Sequence, residues 1–129
     1  MFKRIDHAQI TVPPDQVDKA KAFYIQYLGF EITHRPATLD HIPGFWLQAG
    51  GAQLHIGYEE GIERRKTNAH PAFEVTNLDF YRQKIVEGGG IIDPSIPIPG
   101  RDRIEFRDPF DNRIELLEYD SSPKKDDPT

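Results

Sequence analysis

Polar and apolar residues alternate from the start of the chain. In "IDHAQITV" (residues 5–12), Ala8, Ile10 and Val12 share one face and His7, Gln9 and Thr11 the other, the signature of a half-buried strand. Pro13 and Pro14 end it, and Asp15 is positioned to cap a helix. In "QVDKAKAFYIQYLG" the period changes to 3.6: Val17, Ala20, Phe23, Tyr24, Tyr27 and Leu28 form one stripe, and Gly29 follows as the C-terminal cap. Three more strand patterns follow, "FEITHR", "GFWLQA" and "AQLHIGY". The polar "EEGIERRKTN" reads as a linker.

The same order then returns. "HPAFEV" is a strand, and "LDFYRQKIVE" is a helix with Asn77 as its expected cap and Gly88 to Gly90 as its stop. "GIIDP", "RIEFRDP" and "RIELLEY" are the remaining strands. The Pro-rich "PSIPIPG" is a loop or an edge. The pattern is an internal repeat of β-α-β-β-β units. It predicts an α+β chain with a first module at 1–60, a linker at 61–69, a second module at 70–120 and a disordered tail at 121–129, one domain overall. Two correspondences support the repeat. "FY" recurs at 23–24 and 80–81, and "AQLHIGY" (52–58) aligns with "NRIELLE" (112–118) at an offset of sixty, which sets His55 opposite Glu115.

Alternation also assigns faces. Leu54 and Ile56 are apolar, so His55 points the other way; Phe73 and Val75 put His70 opposite; Ile114 and Leu116 put Glu115 opposite. His7, His55, His70 and Glu115 thus lie on sheet faces that the helices leave uncovered. Three imidazoles and a carboxylate form a donor set for a borderline divalent ion, Zn, Mn, Ni, Co or Fe, with positions left for water or substrate. A lone strand histidine is ordinarily a surface or hydrogen-bonded residue. His34 and His41, which have no counterpart in the other half, are read that way.

Composition narrows the classes. At 37% apolar and 29% charged residues the chain fits a globular protein, and its net charge of −5 argues against a nucleic-acid partner. No cysteine is present, which excludes disulfides, thiolate ligands and a cysteine nucleophile. No apolar run is long enough to cross a bilayer and "MFKRIDHAQ" has no secretory core, so no membrane partner and a cytoplasmic location are expected. No P-loop, dinucleotide fingerprint or Ser-His-Asp pattern is found.

The segments "IDHAQITV", "AFYIQYLGFEI", "QLHIGY", "AHPAFEV" and "FRDPFDNRIELLE" together resemble the vicinal oxygen chelate superfamily, which includes glyoxalase I, fosfomycin-resistance thiol transferases, extradiol dioxygenases and bleomycin-resistance proteins. The resemblance runs to Tyr119. It implies two paired βαβββ modules forming a cup-shaped mixed sheet with helices on the outer face and a metal at its base. It also implies that His7 and His70 are ligands from the first strand of each module, and Glu115 a ligand from the last strand of the second. At the remaining position glyoxalase I has a glutamate and this chain has His55, which puts glyoxalase I activity in doubt. Asp111 replaces the usual glycine of "DPFGN", for which a local effect is expected.

The function these features favour is a glyoxalase-type metal-dependent lyase, isomerase or transferase acting on a small oxygen-rich substrate, with His55 and Glu115 also as catalytic candidates. The alternatives are a metal-free binding protein of the bleomycin-resistance kind and an extradiol-type dioxygenase using Fe. Arg64, Arg65 and Lys66, and likewise Arg101, Arg103 and Arg107, are candidates to bind an anionic part of the substrate, against the plainer reading of solvated loop charges. Open strand edges and the apolar "GFWLQA" lead to the expectation of a homodimer.

Overall fold

The computed structural model describes residues 1–121; the expected tail lies almost wholly outside the described residues. The chain divides into two compact units, Met1–Glu63 and one beginning at Arg64. In the first, strand β1 (Ala8–Val12) leads through helix α1 (Val17–Lys21) to β2 (Glu31–Thr33), β3 (Gly44–Ala49) and β4 (Ala52–Tyr58). In the second, β5 (Ala72–Glu74) leads through α2 (Leu78–Glu87) to β6 (Ile91–Asp93), β7 (Arg101–Arg107) and β8 (Arg113–Tyr119). Each unit is therefore a βαβββ module with one four-stranded mixed sheet, ordered β1-β4-β3-β2 and β5-β8-β7-β6. In both, the first strand runs parallel to the last and the other pairings are antiparallel.

The repeat holds at the level of register. His55 on β4 sits beside Gln9 of β1, and Glu115 on β8 sits beside Ala72 of β5. Gln9 and Ala72 each lie two positions after a histidine, His7 and His70. His55 and Glu115 are thus equivalent positions of the two modules.

Each core follows the apolar faces read from the sequence. Val12, Leu47 and Leu54 are fully buried in the first unit, as are Ile85, Ile104 and Phe106 in the second. Burying a side chain of this size contributes about 1.5–3 kcal/mol. The "FY" correspondence does not extend to packing: Phe23 and Tyr24 are buried edge to face, whereas Phe80 is 48% exposed. The second pair sits near the start of α2, where Leu78 and Ile85 take the inward positions.

The helix ends also differ from expectation. A 3₁₀ turn at Pro14–Gln16 takes up Asp15, and the cap position of α1 falls on Gln16 with no side-chain cap. α1 continues as a π-helical turn over Ala22–Tyr27, and Leu28 N–H reaches back to Phe23 O at 3.0 Å. Gly29, at φ 83°, reverses the chain as a C-terminal glycine should. Asn77 occupies the cap position of α2 at φ 61° without a side-chain cap bond. The Glu118 carboxylate takes that role, accepting from Asn77 N and Leu78 N at 3.0 Å each. Asp111 adopts φ 74°, the left-handed conformation that a glycine would otherwise supply.

Candidate functional site

In the first unit, alternation along β4 and β3 brings His55 and Trp46 into register on the face away from Leu47 and Leu54. Their rings stack at 4.1 Å and 4°, and His7 stacks on His55 at 3.9 Å and 18°. His55 is buried within this stack of three rings. A pocket of about 390 Å³ opens beside it. Asp6, His7, Gln9, Gln53 and His55 line one part of it, and Arg35, Leu39, Ile42 and Trp46 the rest.

Hydrogen-bond partners fix which ring nitrogens remain available. His7 Nδ1 donates to Asp6 at 3.0 Å, and His70 Nδ1 donates to Asn68 O at 2.8 Å. A carboxylate and a carbonyl only accept, so in each neutral ring Nε2 keeps its lone pair. Orientation of this kind from a neighbouring oxygen is typical of metal-ligating histidines. The bond from His7 also holds the Asp6 carboxyl below the usual range; desolvation opposes it, and the Arg4 charge adds to the lowering.

In the second unit His70 Nε2 faces Glu115 Oε1 at 3.6 Å. Two donors on one ion lie roughly 3–3.5 Å apart for bond lengths near 2.0–2.2 Å, so this pair fits a shared divalent cation. The stack of His7 on His55 fits less directly, because the in-plane lone pairs of near-parallel rings do not aim at one point. The His7 side chain is 42% exposed and bound to Asp6 at 3.0 Å, whereas His55 is buried between His7 and Trp46. Neither unit by itself brings three or more His, Asp or Glu side chains around one point among the described residues.

The expected anion-binding arginines are largely engaged. Arg103 donates to Glu105 and, at 3.2 Å, to Glu115, and its Nε and Nη2 donate to Ile96 O at 3.1 and 2.7 Å. Arg113 donates to Glu105 at 3.0 Å. Burial alone would raise the Glu105 pKa, but the hydrogen bonds from Arg113 and Arg103 outweigh it and hold the carboxyl below its usual range. Arg107 ties the chain at Arg64 O, Asp111 O and Thr67 O. Arg64 is buried and Arg65 pairs with Asp111 at 3.3 Å. Arg101 lies over Tyr119 at 4.7 Å. His34 and His41 are exposed and line no part of the pocket.

Four pocket residues, Gln9, Gln53, Trp46 and Arg35, have no functional role in the sequence reading. Gln9 shares the face of His7, and Gln53 lies two residues from His55 on the same face of its strand; Trp46 belongs to an apolar stretch, although alternation from Phe45 and Leu47 turns it toward His55. Arg35 carried no signal beyond its position at the end of a strand pattern.

Burial of His55, and then the nearness of His7, lowers its pKa; Asp6 pulls weakly the other way and Arg35 adds to the lowering. The folded chain therefore resists protonation of this ring more than the unfolded chain does. This costs nothing above the unfolded value near 6.5 and destabilises the metal-free protein as pH falls below it. The thermal midpoint of metal-free protein is expected to be lower at about pH 5.5 than at about pH 7.5. The drop should shrink in His55→Phe, which keeps a ring between Trp46 and His7; an equal drop in that variant would assign the effect to other groups.

The family model of the Glyoxalase/Bleomycin resistance protein/Dioxygenase superfamily matches residues 4–116. The chain belongs to this superfamily. Among its members of known structure, a protein from Bacillus anthracis assigned to the glyoxalase family is 34% identical, covering 93% of this chain and 98% of that one with a TM-score of 0.77. FosX, a genomically encoded fosfomycin resistance protein of Listeria monocytogenes, is 21% identical over 94% of each chain with a TM-score of 0.73, in a complex with Mn(II) and sulfate. FosX of Mesorhizobium loti is 17% identical, covering 94% of this chain and 96% of that one with a TM-score of 0.69. The two FosX likenesses speak to the superfamily fold. No curated protein matches the chain. No helix among the described residues is long and apolar enough to cross a membrane.

Proposed function

We propose that the protein is a divalent-metal-dependent enzyme of the lyase, isomerase or transferase kind, acting on a small oxygen-rich substrate, with His7, His55, His70 and Glu115 as the ligand set. The observation that carries this reading is the doubled arrangement. At equivalent register positions the two modules pair His7 with His55 and His70 with Glu115, and both outer histidines have Nδ1 committed to an oxygen, which leaves Nε2 for a cation. The Mn(II) complex of the Listeria relative supports the same class of ion. A metal held by His7, His55, His70 and Glu115 would supply Lewis acidity toward an oxygen-rich substrate. The chain's own part is to orient the substrate and move protons. Trp46 provides a flat wall, Gln9 and Gln53 offer amide donors and acceptors in the pocket lining, and His55 and Glu115 are the candidate proton acceptors. A homodimer and a cytoplasmic setting belong to the same proposal.

A second reading, a metal-free binding protein, is favoured by one specific contact. Glu115 already accepts from Arg103 at 3.2 Å, so its charge is balanced without an ion. Metal titration of untagged protein separates the two. Roughly one equivalent of Mn²⁺, Zn²⁺, Ni²⁺, Co²⁺ or Fe²⁺ per chain, bound tighter than about micromolar, is the expected result. Absence of such binding for all five ions would leave the binding-protein reading.

A further inference from the structure

We propose that Arg103, Glu105 and Arg113 form a charge counterweight to Glu115 that holds down the second unit's affinity for a divalent ion, with Arg103 as the positioning residue that acts through the Glu115 carboxylate. The inference rests on the proposed ligand role of Glu115 and deepens it, because it names what sets the strength of that ligand.

The four side chains share one face of the second sheet. Ile104, Phe106, Ile114 and Leu116 point into the core, so Arg103 and Glu105 of β7 and Arg113 and Glu115 of β8 point the other way. Glu105 lies directly opposite Glu115 across the two strands. Like charges in that position repel. Arg103 relieves the repulsion with one nitrogen: its Nη1 donates to Glu105 Oε1 and, at 3.2 Å, to Glu115 Oε1. Arg113 Nη2 donates to Glu105 Oε2 at 3.0 Å. Glu105 thus has an arginine on each oxygen. Glu115 has one, on the oxygen that faces His70 Nε2 at 3.6 Å.

The charges do not cancel pair by pair. Arg103 and Arg113 bring +2 and Glu105 brings −1, so the three together set +1 against the −1 of Glu115. No more than 12% of the Arg103, Glu105 or Glu115 side chain is exposed, so water and salt screen these charges weakly. The affinity of a carboxylate site for a divalent ion is tuned by the charge its ligands bring. An ion beside His70 and Glu115 would meet a carboxylate whose charge is already offset, with a guanidinium on the same oxygen. Arg103 does not depend on Glu115 for its place, because its Nε and Nη2 donate to Ile96 O at 3.1 and 2.7 Å. Its positive charge therefore stays beside an incoming ion. Charge and orientation predict opposite signs here. A residue that only aligned Glu115 would strengthen metal binding, whereas a counterweight weakens it.

Titration calorimetry with Mn²⁺ alone, at low ionic strength on the full chain, reads the sign directly. Arg103→Gln is expected to bind Mn²⁺ about tenfold tighter than the wild type, and Arg113→Gln, which removes a charge without touching Glu115, about threefold tighter. Glu105→Gln should bind about tenfold weaker, because it leaves two arginines facing one carboxylate. Arg103→Lys keeps the charge and should stay within about twofold of the wild type. Near-ultraviolet circular dichroism and thermal melting verify that the variants fold; Arg113→Gln and Arg103→Lys carry the test should Arg103→Gln not fold. Weaker binding in both Arg103→Gln and Glu105→Gln would make Arg103 an aligning residue and overturn the proposal. Unchanged affinity in folded Arg103→Gln and Arg113→Gln, or Arg103→Lys binding as tightly as Arg103→Gln, would overturn it as well. Each of these results, with Mn²⁺ bound by the wild type, would leave the metal reading standing. Mn²⁺ binding that emerges only in Arg103→Gln or Arg113→Gln would support the counterweight, and absence of binding in the wild type and every variant would remove both readings.

Discussion

Glu115→Gln is expected to weaken divalent-metal affinity by more than about a hundredfold while leaving the fold close to wild-type stability. Loss of a group that merely orients a ligand typically costs 10–100-fold in affinity, so loss of the charged ligand itself should exceed that range. The neutral amide keeps the shape of the side chain and an oxygen for Arg103, which donates to Glu115 at 3.2 Å. Glu105 and Ile96 O hold the rest of that guanidinium. Glu115→Ala should match the loss of metal and add a stability cost of about 1–3 kcal/mol, because Arg103, whose side chain is only 12% exposed, would lose one of its acceptors. His70→Ala should lose metal comparably with little change in stability, since its side chain is 30% exposed. Titration calorimetry with Mn²⁺ and thermal melting of metal-free samples read the two effects separately. Wild-type Mn²⁺ affinity in folded Glu115→Gln would remove Glu115 from the ligand set.

What the sequence made legible is what a strand's period-two alternation can carry. The long strands β4 and β8 were bounded within a residue, and the facing of His55 and Glu115 followed from Leu54, Ile56, Ile114 and Leu116. The repeat offset then placed the two as equivalents, and the registers at Gln9 and Ala72 agree. Features that depend on distant partners were invisible. The α2 cap comes from Glu118, 41 residues beyond Asn77, where local pattern pointed to Asn77 itself. Arg103 read as a loop cation because nothing nearby in sequence shows that it faces Glu115, twelve residues on and one strand across. The π-helical turn at Ala22–Tyr27 leaves the apolar stripe intact, so periodicity alone could not separate it from an α-helix. Arg35 has no partner in the repeat, and only the cavity around it gives it meaning.

The metal-loaded protein is expected to show little or no glyoxalase I turnover with methylglyoxal and glutathione. The resemblance to glyoxalase I puts a glutamate at the position of His55, and that carboxylate is implicated in moving the substrate proton. His55 differs from it in charge, basicity and freedom. A neutral imidazole in place of a carboxylate makes the site one unit more positive and removes the anionic base. Burial, and then His7, lowers the His55 pKa, so the ring accepts a proton less readily than an ordinary histidine. Trp46 at 4.1 Å and His7 at 3.9 Å sandwich it, which limits the reorientation that a shuttling base needs. His55→Glu is expected to retain a divalent ion while changing which ion binds best, because a hard anionic oxygen replaces a borderline nitrogen. The assay is run on wild type loaded with Ni²⁺ or Zn²⁺. Turnover comparable to an ordinary enzyme, on the order of ten per second or more, would mean that the imidazole replaces the carboxylate base and would move glyoxalase I chemistry to the front of the possible reactions.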